Sequence, residues 1–499
     1  MIAAASLSEL RDLADRAFSR AAGAPLIPGN RVRLLADARE NYPAWLDAIG
    51  AAKRHVLFES YFICEDETGN ELAAALIAKA REGVAVRLLY DWLGGFGEAS
   101  RAFWARLRAG GVEVRRYNPP QLDSPLGWLS RNHRKTVSVD GEVGFVTGLC
   151  VGRRWVGDPA RGVAPWRDTG IEIRGPAVAE VERAFIRTWA ATGEAMPKLE
   201  SAPAAAAGEV EMRIVASEPA TAAMMRLDQL VAALARKRLW LTDAYYAGTT
   251  PYVQALRAAT RDGVDVRLLV PNATDIPLLR PLSRAGYRAL LEAGVRVFEW
   301  NGTMLHAKTA VADGHWARVG STNLNVASWF GNRELDAVIE NEGVAAEMEA
   351  MYLADLENAT EVVLDRRRRR LSAPGEPRHP RAAGRPRGSA GRAAAGAIRV
   401  GNTIGAAFTN RRVLEPVEAR LAMVSGVAAC VIAVLAAVFP RALAYPLAVL
   451  AAWAGIALLH RGYRLYRRKP STPGATPPAL AKDTVRGRGA APPSASNTT

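Results

Sequence analysis

Apolar and polar positions along this chain follow two alternating periods. Arg31-Val-Arg-Leu-Leu35, His55-Val-Leu-Phe-Glu-Ser-Tyr-Phe62, Val84-Ala-Val-Arg-Leu-Leu-Tyr90 and Val112–Tyr117 are short runs rich in β-branched and aromatic residues. They read as strands, several of them buried. Between them, Tyr42–Ala52, Asn70–Glu82 and Arg101–Ala109 repeat their apolar residues at helical spacing, and Gly83 and Gly110-Gly111 close the last two. Strands alternating with helices predict an α/β domain with a largely parallel sheet covered on both faces. Upstream, Ser6-Leu-Ser-Glu9 has the form of a capping box. Leu7, Leu10, Ala14 and Phe18 then share one helical face, which predicts a helix packed on the body. No basic-then-apolar leader pattern is visible, and the Ala/Gly/Pro stretch 21–29 reads as a linker.

The same series then recurs. Arg213–Ala216 matches the opening strand, Arg238-Leu-Trp-Leu-Thr-Asp-Ala-Tyr-Tyr246 the Tyr-containing one, and Tyr252–Arg261 reads as a helix. Asp262-Gly-Val-Asp-Val-Arg-Leu-Leu269 parallels Glu82-Gly-Val-Ala-Val-Arg-Leu-Leu89, and Ala293–Asn301 parallels Gly110–Asn118. A preserved order of elements is the mark of a duplication. The Ala/Pro/Gly run 201–208 divides the copies, which gives an N-terminal segment 1–30 and two domains, 31–200 and 209–365.

Each copy carries one short motif. The first is Arg131-Asn-His-Arg-Lys-Thr-Val-Ser-Val-Asp140-Gly141, the second Leu305-His-Ala-Lys-Thr-Ala-Val-Ala-Asp313-Gly314. Both are H-x-K-x-x-x-x-D-G, strand-like after the Lys, with Asp-Gly as a hairpin-turn signal. On a strand His133 and Lys135 point the same way, as do His306 and Lys308. One such pair on an amphipathic strand is ordinarily a solvated face; two at identical places in a repeat point to chemistry. An imidazole beside an ammonium suits an anionic substrate. Covalent transfer at a phosphodiester needs a nucleophile on one side of phosphorus and an acid for the leaving alcohol on the other. Two His-Lys edges brought together meet both demands, with the lysines stabilising the non-bridging oxygens and no metal required.

These paired motifs resemble the signature of the phospholipase D superfamily. Over about residues 30–365 the chain resembles bacterial cardiolipin synthases, the B type most closely. The resemblance implies two phospholipase D-like α/β/α domains related by a pseudo-two-fold. It implies a phosphatidyltransferase that makes cardiolipin from phosphatidylglycerol through a phosphohistidine, with no cofactor. By resemblance His133 is the nucleophile and His306 the general acid and base; the near-symmetric halves do not themselves distinguish the two. The motif aspartates Asp140 and Asp313 are counted with the catalytic set, although both also read as turn residues. Trp166-Arg-Asp168 and Asn332-Arg-Glu334 match the family's downstream carboxylates, so Asp168 and Glu334 are predicted to orient the histidines. Gly320-Ser-Thr-Asn323 matches the family's G-S-x-N and makes Ser321 and Asn323 candidate phosphate contacts. The first half has Thr147-Gly-Leu-Cys150, with a thiol where the family has Asn; Cys150 reads as a packing residue, and a thiol is a poor replacement for an amide donor. Alternatives are plain phospholipase D hydrolysis or head-group exchange, a nuclease of the same superfamily, and an inactive membrane scaffold.

Charge narrows these. The 499 residues sum to +15, but from Arg366 onward there are 23 Lys/Arg against 4 Asp/Glu, so the body is about −4. A nucleic-acid enzyme would carry a basic face on its catalytic body. Here the excess lies in a Pro/Gly/Arg/Ala-rich linker, 366–410, which contains five consecutive arginines and is predicted to be disordered. Beyond it, Leu421–Phe439 and Ala442–Leu459 hold no charge and are joined by Pro440-Arg441. They predict a two-helix membrane hairpin over 419–460, with flanking arginines that place both ends and the body in the cytoplasm, at a bacterial inner membrane. A re-entrant hairpin is the other reading. Residues 470–499 read as a disordered tail. Three scattered cysteines give neither a disulfide framework nor a metal spacing. The partners implied are anionic phospholipids and the membrane, not nucleic acid.

Overall fold

The computed structural model describes residues 7–120, 129–197, 199, 204–276, 279–364 and 416–467. The first half supplies strands β1 (Ile27–Ala36), β2 (His55–Ser60), β3 (Ala85–Asp91), β4 (Glu113–Tyr117), β5 (Thr136–Val139), β6 (Val143–Thr147) and β7 (Thr169–Arg174). The second supplies β8 (Val210–Ser217), β9 (Arg238–Thr242), β10 (Asp265–Pro271), β11 (Arg296–Trp300), β12 (Thr309–Ala312), β13 (Trp316–Gly320), β14 (Glu334–Glu340) and β15 (Ala359–Val362). Helices α1 (Leu7–Ala22), α2 (Asp37–Ala51), α3 (Glu67–Arg81), α4 (Arg101–Ala109), α5 (Arg153–Val156) and α6 (Val178–Ala190) accompany the first half. Helices α7 (Ala223–Leu234), α8 (Thr250–Arg261), α9 (Leu279–Leu291) and α10 (Glu342–Glu357) accompany the second, and α11 (Pro416–Val438) and α12 (Pro440–Arg467) follow.

All fifteen strands form one sheet, ordered β15-β11-β10-β9-β12-β13-β14-β8-β1-β7-β6-β5-β2-β3-β4. Apart from the extra edge strand β15, the order reads alike from either end about the β8–β1 contact. That contact is antiparallel, with Ile27 opposite Met212 and Asn30 opposite Val210. A two-fold relation between equivalent strands requires an antiparallel join, so the duplication becomes a pseudo-two-fold within a single sheet.

The sheet is mixed, not largely parallel as the strand–helix alternation implies. Only β2-β3-β4 and β9-β10-β11 run parallel. The motif strands β5 and β12 pair antiparallel with their neighbours. The Asp-Gly turns explain the difference, because loops of three residues, 140–142 and 313–315, can join only antiparallel strands. Asp140 (φ 54°) and Gly141 (φ 69°), like Asp313 (φ 52°) and Gly314 (φ 77°), take the left-handed pair that a type I′ hairpin needs.

Each half has its own apolar core, around Trp45, Phe58 and Leu88 in the first and Leu241, Tyr252 and Leu268 in the second. A third core takes Val146 and Ile171 from one half and Ile214, Leu335 and Ala337 from the other. Shared burial across the two-fold holds the halves in one register, because close-packed interiors do not slide freely. Helix α1 packs on the second half, with Phe18 and Ala22 against its core and Asp15 paired to Arg213. At the other end of the chain, α11 and α12 are consecutive helices broken at Phe439. Among the described residues no helix is long and apolar enough to cross a membrane. The predicted linker 366–410 and tail 470–499 lie outside the described residues.

Candidate active site

The two motif strands meet through short backbone contacts that cross between the halves. The His133 amide donates to the Arg333 carbonyl at 2.9 Å, and the His306 amide to the Arg167 carbonyl at 2.7 Å. The segments Trp166-Arg-Asp168 and Asn332-Arg-Glu334 therefore each lie along the motif of the opposite half. Their carboxylates cross over with them. Glu334 Oε2 lies 2.9 Å from His133 Nδ1, and Asp168 Oδ2 lies 2.7 Å from His306 Nδ1.

Both carboxylates are completely buried. Burial alone would raise their pKa values, but each is held below its ordinary value, chiefly by its histidine partner. The His306 imidazole and its hydrogen bond, Lys308 and the Trp155 indole act on Asp168. The His133 imidazole and its hydrogen bond, Lys135 and the Ser321 hydroxyl act on Glu334. An ionised carboxylate at Nδ1 makes that nitrogen the donor and leaves the Nε2 lone pair for chemistry. The histidines move the other way. Burial, reinforced by the two lysines against the pull of Glu334, lowers His133. Burial and Lys308 lower His306 to about 4. Each imidazole lies in the field of both lysines. A site neutral in histidine and rich in ammonium charge fits an arriving phosphodiester anion.

The lysines are fixed from behind. Lys135 Nζ donates to the His133 carbonyl at 2.6 Å, and Lys308 Nζ donates to the His306 carbonyl. Lys308 Nζ also lies 3.0 Å from His306 Nδ1. That nitrogen cannot accept there while donating to Asp168, and the shorter contact to an ionised carboxylate takes precedence. Aromatic rings wall the site. Tyr61 stands edge-on 5.1 Å from His133, and Tyr245 stands 5.7 Å from His306. Trp155 lies 5.4 Å from His306 and donates to Asp168 at 2.9 Å. Sequence reasoning missed these three as site residues. The strand-end tyrosine was visible in both copies, but nothing in the spacing marks Trp155.

Other candidates fall elsewhere. Asp140 and Asp313, counted among the catalytic residues, touch neither histidine. Asp140 accepts the amides of Lys53, Arg54 and His55 at 2.7, 2.8 and 2.7 Å. Asp313 accepts those of Arg236, Lys237 and Arg238 at 2.8, 2.8 and 2.9 Å. They pin the starts of β2 and β9 to the hairpins at the far ends of β5 and β12. Ser321, a candidate phosphate contact, instead gives its hydroxyl to Glu334 at 2.6 Å, while its carbonyl lies 3.1 Å from His133 Nδ1. It positions the carboxylate and the imidazole. Asn323 is buried in the same turn, and its Oδ1 has no partner among the described residues; since that oxygen only accepts, a phosphate contact there falls to Nδ2. Cys150 is buried, and burial pushes its thiol up despite Lys135 and Lys308, as suits a packing residue. Gly148 is needed where it stands, since any Cβ there would overlap the Asp168 carboxylate.

With this geometry in place, comparison with known proteins is direct. The family described as cardiolipin synthase, PLD-like domain, matches residues 45–189 and 230–356. The cardiolipin synthase of Alkalihalophilus pseudofirmus is 32% identical over 345 residues, covering 68% of each chain. Cardiolipin synthase A of Pseudomonas aeruginosa is 35% identical over 363 residues, covering 71% of this chain and 72% of its own. Among solved structures, the phosphatidylserine synthase of Haemophilus influenzae shares the fold at a TM-score of 0.55 and 14% identity, over 70% of this chain and 91% of that one.

Proposed function

The chain belongs to the cardiolipin synthase, phospholipase D-like family, and from that membership we propose a phosphatidyltransferase that joins two phosphatidylglycerols into cardiolipin and glycerol. The observation that carries this reading is the crossed arrangement of His133–Glu334 and His306–Asp168 about one set of lysines. His133 Nε2 attacks the phosphorus of the first lipid. The bond to the glycerol oxygen breaks, and that oxygen takes a proton from His306, whose proton affinity rises as the bound anion offsets the lysine charge. The primary hydroxyl of a second phosphatidylglycerol then attacks the phosphohistidine, gives its proton back to His306 and releases His133. Lys135, Lys308 and Asn323 hold the non-bridging oxygens throughout.

The apolar runs 421–439 and 442–459, with arginines at both outer ends, support a membrane hairpin that keeps the body on the cytoplasmic side. The test of function is incubation of the purified protein with labelled phosphatidylglycerol, with and without phosphatidylethanolamine or glycerol, and mass analysis of products. Cardiolipin with equimolar glycerol is expected. Phosphatidic acid alone would assign hydrolysis instead.

A further inference from the structure

We infer that the face around the active-site mouth is a membrane-docking surface, in which several apolar loop tips enter an anionic bilayer and surface arginines meet its phosphates; this rests on the lipid-transfer reading above. Within the described body, thirteen large apolar side chains are exposed, and nine of them stand on loops, short helical turns or a helix start that follow strand ends on the side of the sheet that carries the two histidines. The most exposed of each segment are Phe96 (72%), Leu129 (57%), Val163 (49%), Leu282 (47%), which is in the first turn of α9, and Val326 (46%). The other four, Leu13, Leu234, Leu353 and Val363, are scattered singly on separate elements. Single exposed apolar residues need no explanation; nine of them gathered at one end of the sheet do.

Each loop is tied to the site. The loop 92–99 follows Asp91, which accepts from the Asn132 amide at 2.8 Å beside His133. Leu129 stands a few residues ahead of the first motif. The loop after α5 carries Val163 and follows Trp155, which packs on His306. Asp275, in the loop that leads to Leu282, accepts from the Tyr245 hydroxyl at 2.8 Å. Val326 follows the turn that holds Asn323.

Two features favour a bilayer over a protein partner. The apolar side chains sit on separate segments, Phe96 after β3, Val163 after β6, Leu282 at the start of α9 and Val326 after β13, rather than along one helix or strand face. Arg101, Arg153, Arg161 and Arg280 are exposed on the same loops or helix starts, although the body as a whole is about −4. Apolar tips interleaved with cations match the boundary between acyl chains and phosphates. A lipid could then reach the histidines through the mouth while its chains remain in the leaflet.

The test uses the full chain carrying Phe96→Ser, Val163→Ser and Val326→Ser together, with Leu234→Ser/Leu353→Ser as the control. On phosphatidylglycerol vesicles the triple variant is expected to lose about tenfold in rate at limiting lipid, while the control stays within about twofold. On short-chain phosphatidylglycerol below its micelle concentration, both should match the wild type, which also shows that they fold. A triple variant that equals the wild type on vesicles would overturn the docking face alone. A wild type inactive on both substrates would overturn the catalytic reading instead. Hydrogen-exchange protection of 92–99 and 325–331 should appear with vesicles. If it appeared with protein concentration alone, a second copy would cover this face and the proposal would fail.

Discussion

At the residue scale, the chemistry depends on which atom of each histidine is occupied. Asp168→Asn or Glu334→Gln keeps the shape but no longer forces Nδ1 to be the donor. Turnover is expected to fall about a hundredfold or more, with lipid binding little changed. Adding Asp168→Asn to His306→Ala should cost far less than Asp168→Asn costs alone, because the carboxylate acts chiefly through that ring and otherwise only supports the charge of Lys308; an undiminished loss would show a separate role. The two lysines are not equivalent. Thr309 pairs with Thr242, which sets Lys308 across from Asp243, whereas Thr136 pairs with Glu59, which sets Lys135 across from Ser60. Asp243 is buried, and its Oδ2 has no partner among the described residues. Burial lowers Lys308 to about 8, while Asp168 and Asp243 pull it back up. Lys308 must be protonated to hold phosphate, so kcat/KM should decline as pH rises through about 8. Removing the Asp243 charge lowers Lys308 further. Asp243→Asn should therefore move the alkaline limb down by about one pH unit, and Ser60→Ala should not move it. An unmoved limb in Asp243→Asn would separate that carboxylate from Lys308.

At the scale of elements, the hairpins and the strand-to-strand ties account for how the motifs are held. Asp140→Ala strips the acceptor from three backbone amides. It should destabilise the fold by about 2–3 kcal/mol, seen as a lower Tm, while the protein that remains folded turns over normally. A loss of kcat without a loss of Tm would return Asp140 to the catalytic set. Arg134 sits between His133 and Lys135 on the other face of the strand and is completely buried. It reaches the Glu334, Ala184 and Ser217 carbonyls at 3.0 Å each, and so spans both halves. Arg134→Met should cost about 3–5 kcal/mol by denaturant unfolding. Its counterpart is Ala307, so the rivet is confined to one half. Alternation along the strand announces that residue 134 faces away from the chemistry. Nothing local announces that it faces the other half.

At the scale of the whole molecule, what could be read in advance was whatever the chain repeats. The doubled strand order, the paired motifs and the two downstream carboxylates are each visible as matched segments, 166 residues apart for Asp168 and Glu334, 173 for the histidines and 183 for His55 and Arg238. The crossing of Glu334 to His133 and Asp168 to His306 was not visible, because it arises from docking between halves. Alternation with helices describes only β2–β4 and β9–β11, for a related reason: the antiparallel motif hairpins depend on loops of three residues. The segment after the body is different in kind, since it has no repeat to check it against. Its helices α11 and α12 break at Phe439, just before Pro440 opens the second. If they cross the membrane as a pair, Arg441, in the first turn of α12, lies on the side opposite the catalytic body. A cysteine placed at 441, in a Cys430→Ala background, should then react with an impermeant maleimide added to intact cells stripped of their outer envelope. A cysteine at 462 should react only after the membrane is opened. Reaction at neither position before opening would show that the hairpin enters and leaves by the cytoplasmic face, anchoring the enzyme in one leaflet with its mouth toward the same lipids.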